Sequence, residues 1–68
     1  MTLTLARAGH SSVRELSLPV GTTVRAALRS AGHVAEGCAV LAGPTPLPLD
    51  LALVADTHLT VIPTFSGG

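Results

Sequence analysis

The first stretch, "TLTLAR", alternates: Leu3 and Leu5 fall on one side, Thr2 and Thr4 on the other. A period of two over a short run predicts a half-buried strand. The turn-forming cluster "AGHSS" follows. In the next run, "VRELSL", Leu16 and Leu18 share a side opposite Glu15 and Ser17. Two alternating runs joined by a turn read as a β-hairpin.

The period then changes. In "PVGTTVRAALRSAG", Val24, Ala27, Leu28 and Ala31 recur at helical spacing and make one apolar stripe. Thr22 stands where an N-cap hydroxyl accepts a free first-turn N–H. Gly32 stands where a left-handed residue closes the helix. Arg25 and Arg29 fall on the outer face. A helix of about ten residues does not persist alone in water, so its stripe must cover a sheet.

"CAVLA" predicts a third strand. "GPTPLPLD" packs three prolines into five residues. Each proline lacks a ladder donor, which excludes a central strand. This segment is a loop or a very short edge strand with Leu47 or Leu49 turned inward. "LALVAD" reads as a single helical turn or a loop. "THLTVIPT" alternates again, with Leu59 and Val61 opposite Thr60 and Ile62, and is the last strand. The order is β-β-α-β-(β)-β. An amphipathic helix across one face of a mixed, four- to five-stranded sheet buries both apolar faces, an α+β fold. The long crossover lets the last strand lie parallel to the first, near the sheet centre.

Composition narrows the function classes. The 68 residues make one domain, 47% hydrophobic and 12% charged, as a folded chain requires. A domain this small has little room for a deep catalytic cavity, which argues against an enzyme, and no phosphate-binding glycine motif is present. Zero net charge and the absence of Trp and Tyr argue against nucleic acid as a partner. Cys38 is the sole cysteine, which excludes an intrachain disulfide and a cysteine-based metal site. It reads as a small core residue, with a redox or acyl-accepting role as the alternative. His10, His33 and His58 show no metal-ligand spacing. The N-terminus has no leader pattern and no run long enough for a membrane span, so a reducing, cytoplasmic setting is expected. All four basic residues are arginines, and lysine is absent.

The sequence finishes "LTVIPTFSGG". The element order, the short length and this closing Gly67-Gly68 together resemble the ubiquitin-like β-grasp family. The likeness is to its prokaryotic branch, which holds the sulfur carriers of thiamin and molybdopterin biosynthesis, the tRNA-thiolation carriers and the small archaeal modifiers. "GTTVRAALRSAG" is similar to the family's helix, and "LVADTHLTVIPTFSGG" to its closing run of acidic turn, strand, short tail and diglycine. Two turns depart from the pattern: Ala42-Gly43 stands where Asn-Gly is common, and Ala55-Asp56 where Gly-Asp is common.

The resemblance implies a β-grasp domain over residues 1–63 and a flexible tail over 64–68. It implies that the Gly68 carboxylate is adenylated by a partner of the ubiquitin-activating type, which brings the ATP and Mg²⁺; the chain itself binds no cofactor. A sulfur nucleophile then converts the acyl-adenylate to a thiocarboxylate, making the chain a sulfur carrier that meets a sulfur donor or acceptor enzyme. Alternatively an amine takes the acyl group, making it a modifier of target lysines. Gly67 and Gly68 suit threading into an active site because neither carries a Cβ. Thr64, Phe65 and Ser66 form the lead-in, with Phe65 as an aromatic anchor for the partner. Leu41 and Ile62, with Ala39 and Thr60, form an apolar patch on the open sheet face, the face with which family members dock on activating enzymes. With no lysine, lysine-linked chains of the protein are excluded, and only the Met1 amine is left as an acceptor. A plain interaction module with an inert tail is the reading from a different class.

Overall fold

Leu3, Leu5, Leu59 and Val61 all point to one side of two neighbouring strands, and that side must be covered. A computed structural model describes residues 1–9 and 13–63 and shows how. The elements are β1 (Thr2–Arg7), β2 (Val13–Ser17), α1 (Val24–Ser30), a 3₁₀ turn (Ala35–Gly37), β3 (Cys38–Ala42), β4 (Thr45–Pro46) and β5 (Thr57–Pro63). The sheet order is β2-β1-β5-β3-β4, with β1 and β5 parallel and every other pair antiparallel. The last strand thus lies at the centre, beside the first, as the crossover argument requires.

The helix covers one face. Its stripe of Val24, Ala27, Leu28 and Ala31 is buried against Leu3, Leu5, Val40, Leu59 and Val61, with Ala35 and Leu53 closing the edges. Leu16 and Leu18 of the hairpin pack at the margin, as do both Leu47 and Leu49. The proline-rich segment contributes only the two-residue edge strand β4. Prolines on so short an edge leave no template for another chain to pair with.

Two local details differ from the sequence expectations, and a third settles an alternative they left open. The N-cap is Thr23, not Thr22: the Thr23 hydroxyl accepts from the Ala26 N–H at 3.2 Å, whereas the Thr22 hydroxyl donates to the Pro19 carbonyl at 2.7 Å. The helix is seven residues long, shorter than the periodic stripe suggests. "LALVAD" is a loop, and Ala52 makes an antiparallel bridge to Thr23.

That loop explains how so short a helix persists. The Val24 and Arg25 N–H groups, which an isolated helix leaves unpaired, donate to the carbonyls of Leu51 (3.0 Å) and Leu49 (2.9 Å). At the other end Gly32 takes the left-handed conformation (φ +86°), and the following His33 N–H returns to the Leu28 carbonyl at 2.9 Å. Arg14 reaches across from β2 and donates to the Ala31 carbonyl at 3.1 Å. A cation there also suits the negative end of the helix dipole.

Candidate docking face and tail root

The face opposite the helix is open. Register sets its composition: Ala39 lies opposite Ile62, Leu41 opposite Thr60, and Thr60 in turn opposite Ala6 of β1. Leu41, Ile62 and Thr60 are all half-buried, each flanked by strands on both sides. The four residues named from the sequence therefore do lie together on one face. The structure adds Pro46, paired with Leu41, and Val13, paired with Ala6; Val13 is 59% exposed. The sequence carried a signal for Ala6, which shares the parity of Thr2 and Thr4. Nothing local assigned Pro46, because its face depends on the β3–β4 register.

This patch lies towards the end of β5 from which residues 64–68 follow. Ile62 is the penultimate residue of that strand. Phe65, Ser66, Gly67 and Gly68 lie outside the described residues, as does His10. Towards the other end of the sheet the character turns polar: Thr2, Thr4, Glu15, Asp56, Thr57 and His58 line a shallow groove of about 430 Å³. There the Asp56 carboxylate accepts from the Thr2 N–H at 2.7 Å and fastens the β5 turn to β1.

The remaining chemical groups do not converge. Among the described residues no cluster of three His, Cys, Asp or Glu side chains is placed to hold a metal. Cys38 is a free, half-buried thiol packed against the core. The ionic contacts of Arg25 are structural: its guanidinium pairs with Glu36 at 3.2 Å and with Asp50. The Asp50 hydrogen bond and charge raise the Arg25 pKa further above its ordinary value. Glu36 is held below the usual carboxylate range, first by a backbone N–H and then by Arg25.

No family model matches the sequence, and no curated protein matches it either. Solved structures do match. The crystal structure of SAMP1 from Haloferax volcanii superposes over 100% of both chains with a TM-score of 0.73, at 19% sequence identity. The fold is the ubiquitin-like β-grasp. In β-grasp terms, the helix fills the grip of the sheet and β5 is its central strand. At this level of identity the likeness establishes architecture and leaves residue roles to the local chemistry. Among the described residues no helix is long and apolar enough to cross a membrane.

Proposed function

We propose that the chain is a sulfur carrier whose reactive group is the Gly68 carboxylate. One observation supports this most: a β-grasp body whose central strand ends at Pro63, with Gly67 and Gly68 four and five residues further along the sequence. The residues beyond Pro63 therefore follow the central strand of the sheet. The diglycine adds no side chain to obstruct a narrow channel.

The chemistry needs a partner. A carboxylate does not react with nucleophiles at neutral pH. In an adenylating enzyme of the ubiquitin-activating type, with its own ATP and Mg²⁺, the Gly68 oxygen attacks the α-phosphorus and pyrophosphate leaves. A sulfur nucleophile then attacks the acyl carbon and AMP leaves. The open-face patch of Ala39, Leu41, Thr60 and Ile62 is the docking surface, and Phe65 with Ser66 enters the channel mouth. Small apolar and half-buried side chains on a flat sheet desolvate at low cost and suit a protein interface.

The test is intact mass after incubation with the activating enzyme, ATP and a sulfur donor. A gain equal to replacing one oxygen by sulfur, absent when Gly67-Gly68 are deleted, supports the carrier. Conjugates that survive reducing denaturation, with Gly-Gly remnants on target lysines, establish the modifier reading instead. Neither product with a competent enzyme overturns both.

A further inference from the structure

The apolar patch of the open face lies on one side of the β5 end, and the helix side carries a groove of its own. Arg7, His33, Val34, Cys38 and Pro63 line it beside two glycines, around about 300 Å³. Cys38 and Pro63 are cross-strand partners with the parity of the buried Val40 and Val61, which sets the groove on the helix side. Its apolar surface is open: Val34 is 71% exposed, and Pro63 is exposed as well. No acidic residue lines it. The arginines make the asymmetry plain. Arg14 donates to the Ala31 carbonyl, Arg25 pairs with Glu36 and Asp50, and the charge of Arg29 acts on Glu36. Arg7, exposed at the end of β1, has no hydrogen-bond or ion-pair partner among the described residues.

We propose that this groove receives an acidic side chain, flanked by an aliphatic one, from the enzyme that activates Gly68, so that the enzyme grips the end of β5 from both faces of the sheet. The contact rests on the activation of Gly68 argued above. Three observations carry it. The first is charge: an unpaired guanidinium on a wall free of acidic groups is complementary to a carboxylate, which its planar fork binds through two parallel N–H donors. The second is apolar surface. Val34 and Pro63 offer an aliphatic residue next to that carboxylate a place to leave water. The third is position. Pro63 is both the last residue of β5 and part of the groove, and its neighbour Ile62 belongs to the open-face patch. Five residues of any chain span at most about 18 Å, so an enzyme acting on Gly68 works within that distance of both surfaces. The open-face patch supplies neutral contact, and the groove adds the charge that fixes orientation and rejects partners with a cation at that point.

Pyrophosphate release by the activating enzyme, measured against the concentration of the full chain, tests this. Expected for Arg7→Glu is a KM raised severalfold or more with kcat near the parent's. Arg7→Lys keeps the charge but loses the fork, and falls between. Val34→Asp, at an exposed position, raises KM as well, and carries the test alone if Arg7→Glu lowers the thermal midpoint. Arg29→Glu changes the net charge equally outside the groove and keeps the parent's KM. Cys38 gives a readout without turnover: its alkylation slows when enzyme without ATP is added to the parent, and slows less at the same enzyme concentration in Arg7→Glu. A parental KM in folded Arg7→Glu and Val34→Asp, or no slowing at Cys38, overturns the proposal while leaving the activation of Gly68 intact. An equal rise in Arg29→Glu overturns it too, because net charge is then the cause. A parent chain that yields no pyrophosphate sinks the activation of Gly68 itself, and this contact with it.

Discussion

Two adjacent threonines divide the work at the start of the helix. Thr23 caps it, and Thr22 closes the turn before it. Losing an N-cap hydroxyl costs about 1 kcal/mol, so Thr23→Ala is expected to lower the urea midpoint of unfolding by that equivalent. Thr22→Ala, which removes one hydrogen bond in an exposed turn, is expected to cost less. The order of the two is the check. Sequence reading favoured Thr22 because either threonine precedes the apolar stripe. The deciding fact is the bridge from Thr23 to Ala52, which holds Thr23 extended (ψ 159°) through a residue far along the chain. Core positions were more legible: Leu59 is 1% exposed, as its alternation predicted. Leu59→Ala is expected to cost about 2–5 kcal/mol, a large share of the stability of so small a domain, read by calorimetry as a lost or sharply lowered transition.

At the scale of elements, the seven-residue helix is held by its surroundings. Loop carbonyls satisfy its first turn, Arg14 contacts the carbonyl that follows its last turn, and Arg25 ties it to the 3₁₀ turn and to Asp50. The pH dependence of this tie follows from Glu36. Its folded pKa is lowered, so its contribution is present at neutral pH. That contribution is lost as pH falls below the ordinary value of 4.5 and through the folded value. Arg25 stays charged throughout, so acid acts on this pair through Glu36. The expected outcome is a lower thermal midpoint in acid for the parent and a smaller drop for Glu36→Gln. The effect is small because the pair is solvent-exposed, and salt at neutral pH should mimic part of it. Periodicity revealed the strands and the helical stripe. It did not reveal that the "LALVAD" loop fastens the helix entrance, since this stretch has no period and its order comes from backbone bonds to residues 21–24.

For the molecule as a whole, the two faces of the sheet have different fates. One is buried under the helix; the other is free, and its apolar section adjoins the root of the tail. Leu41→Glu and Ile62→Glu are expected to abolish or strongly reduce formation of the Gly68 adenylate, measured by pyrophosphate release with the activating enzyme. Their stability should fall by no more than about 1 kcal/mol, because both side chains are half-buried on the open face of the sheet. A collapse in stability with activation retained would assign these residues to the fold instead. This much of the docking face was readable from strand parity alone, which put Leu41 and Ile62 opposite Val40 and Val61. Their adjacency was not, since it needs the β3–β5 register that sets Ala39 against Ile62.

The parallel pairing of β1 with β5 has a practical meaning. Both strands run the same way, so the chain enters the sheet at one end and leaves it at the other. Seven residues of β5 span about 20 Å between those ends. A fluorophore or affinity handle fused ahead of Met1 therefore sits a full strand length from the root of residues 64–68. Such a handle should leave activation rates unchanged while reporting on every product formed at Gly68, whereas the same handle placed behind Gly68 would block them all.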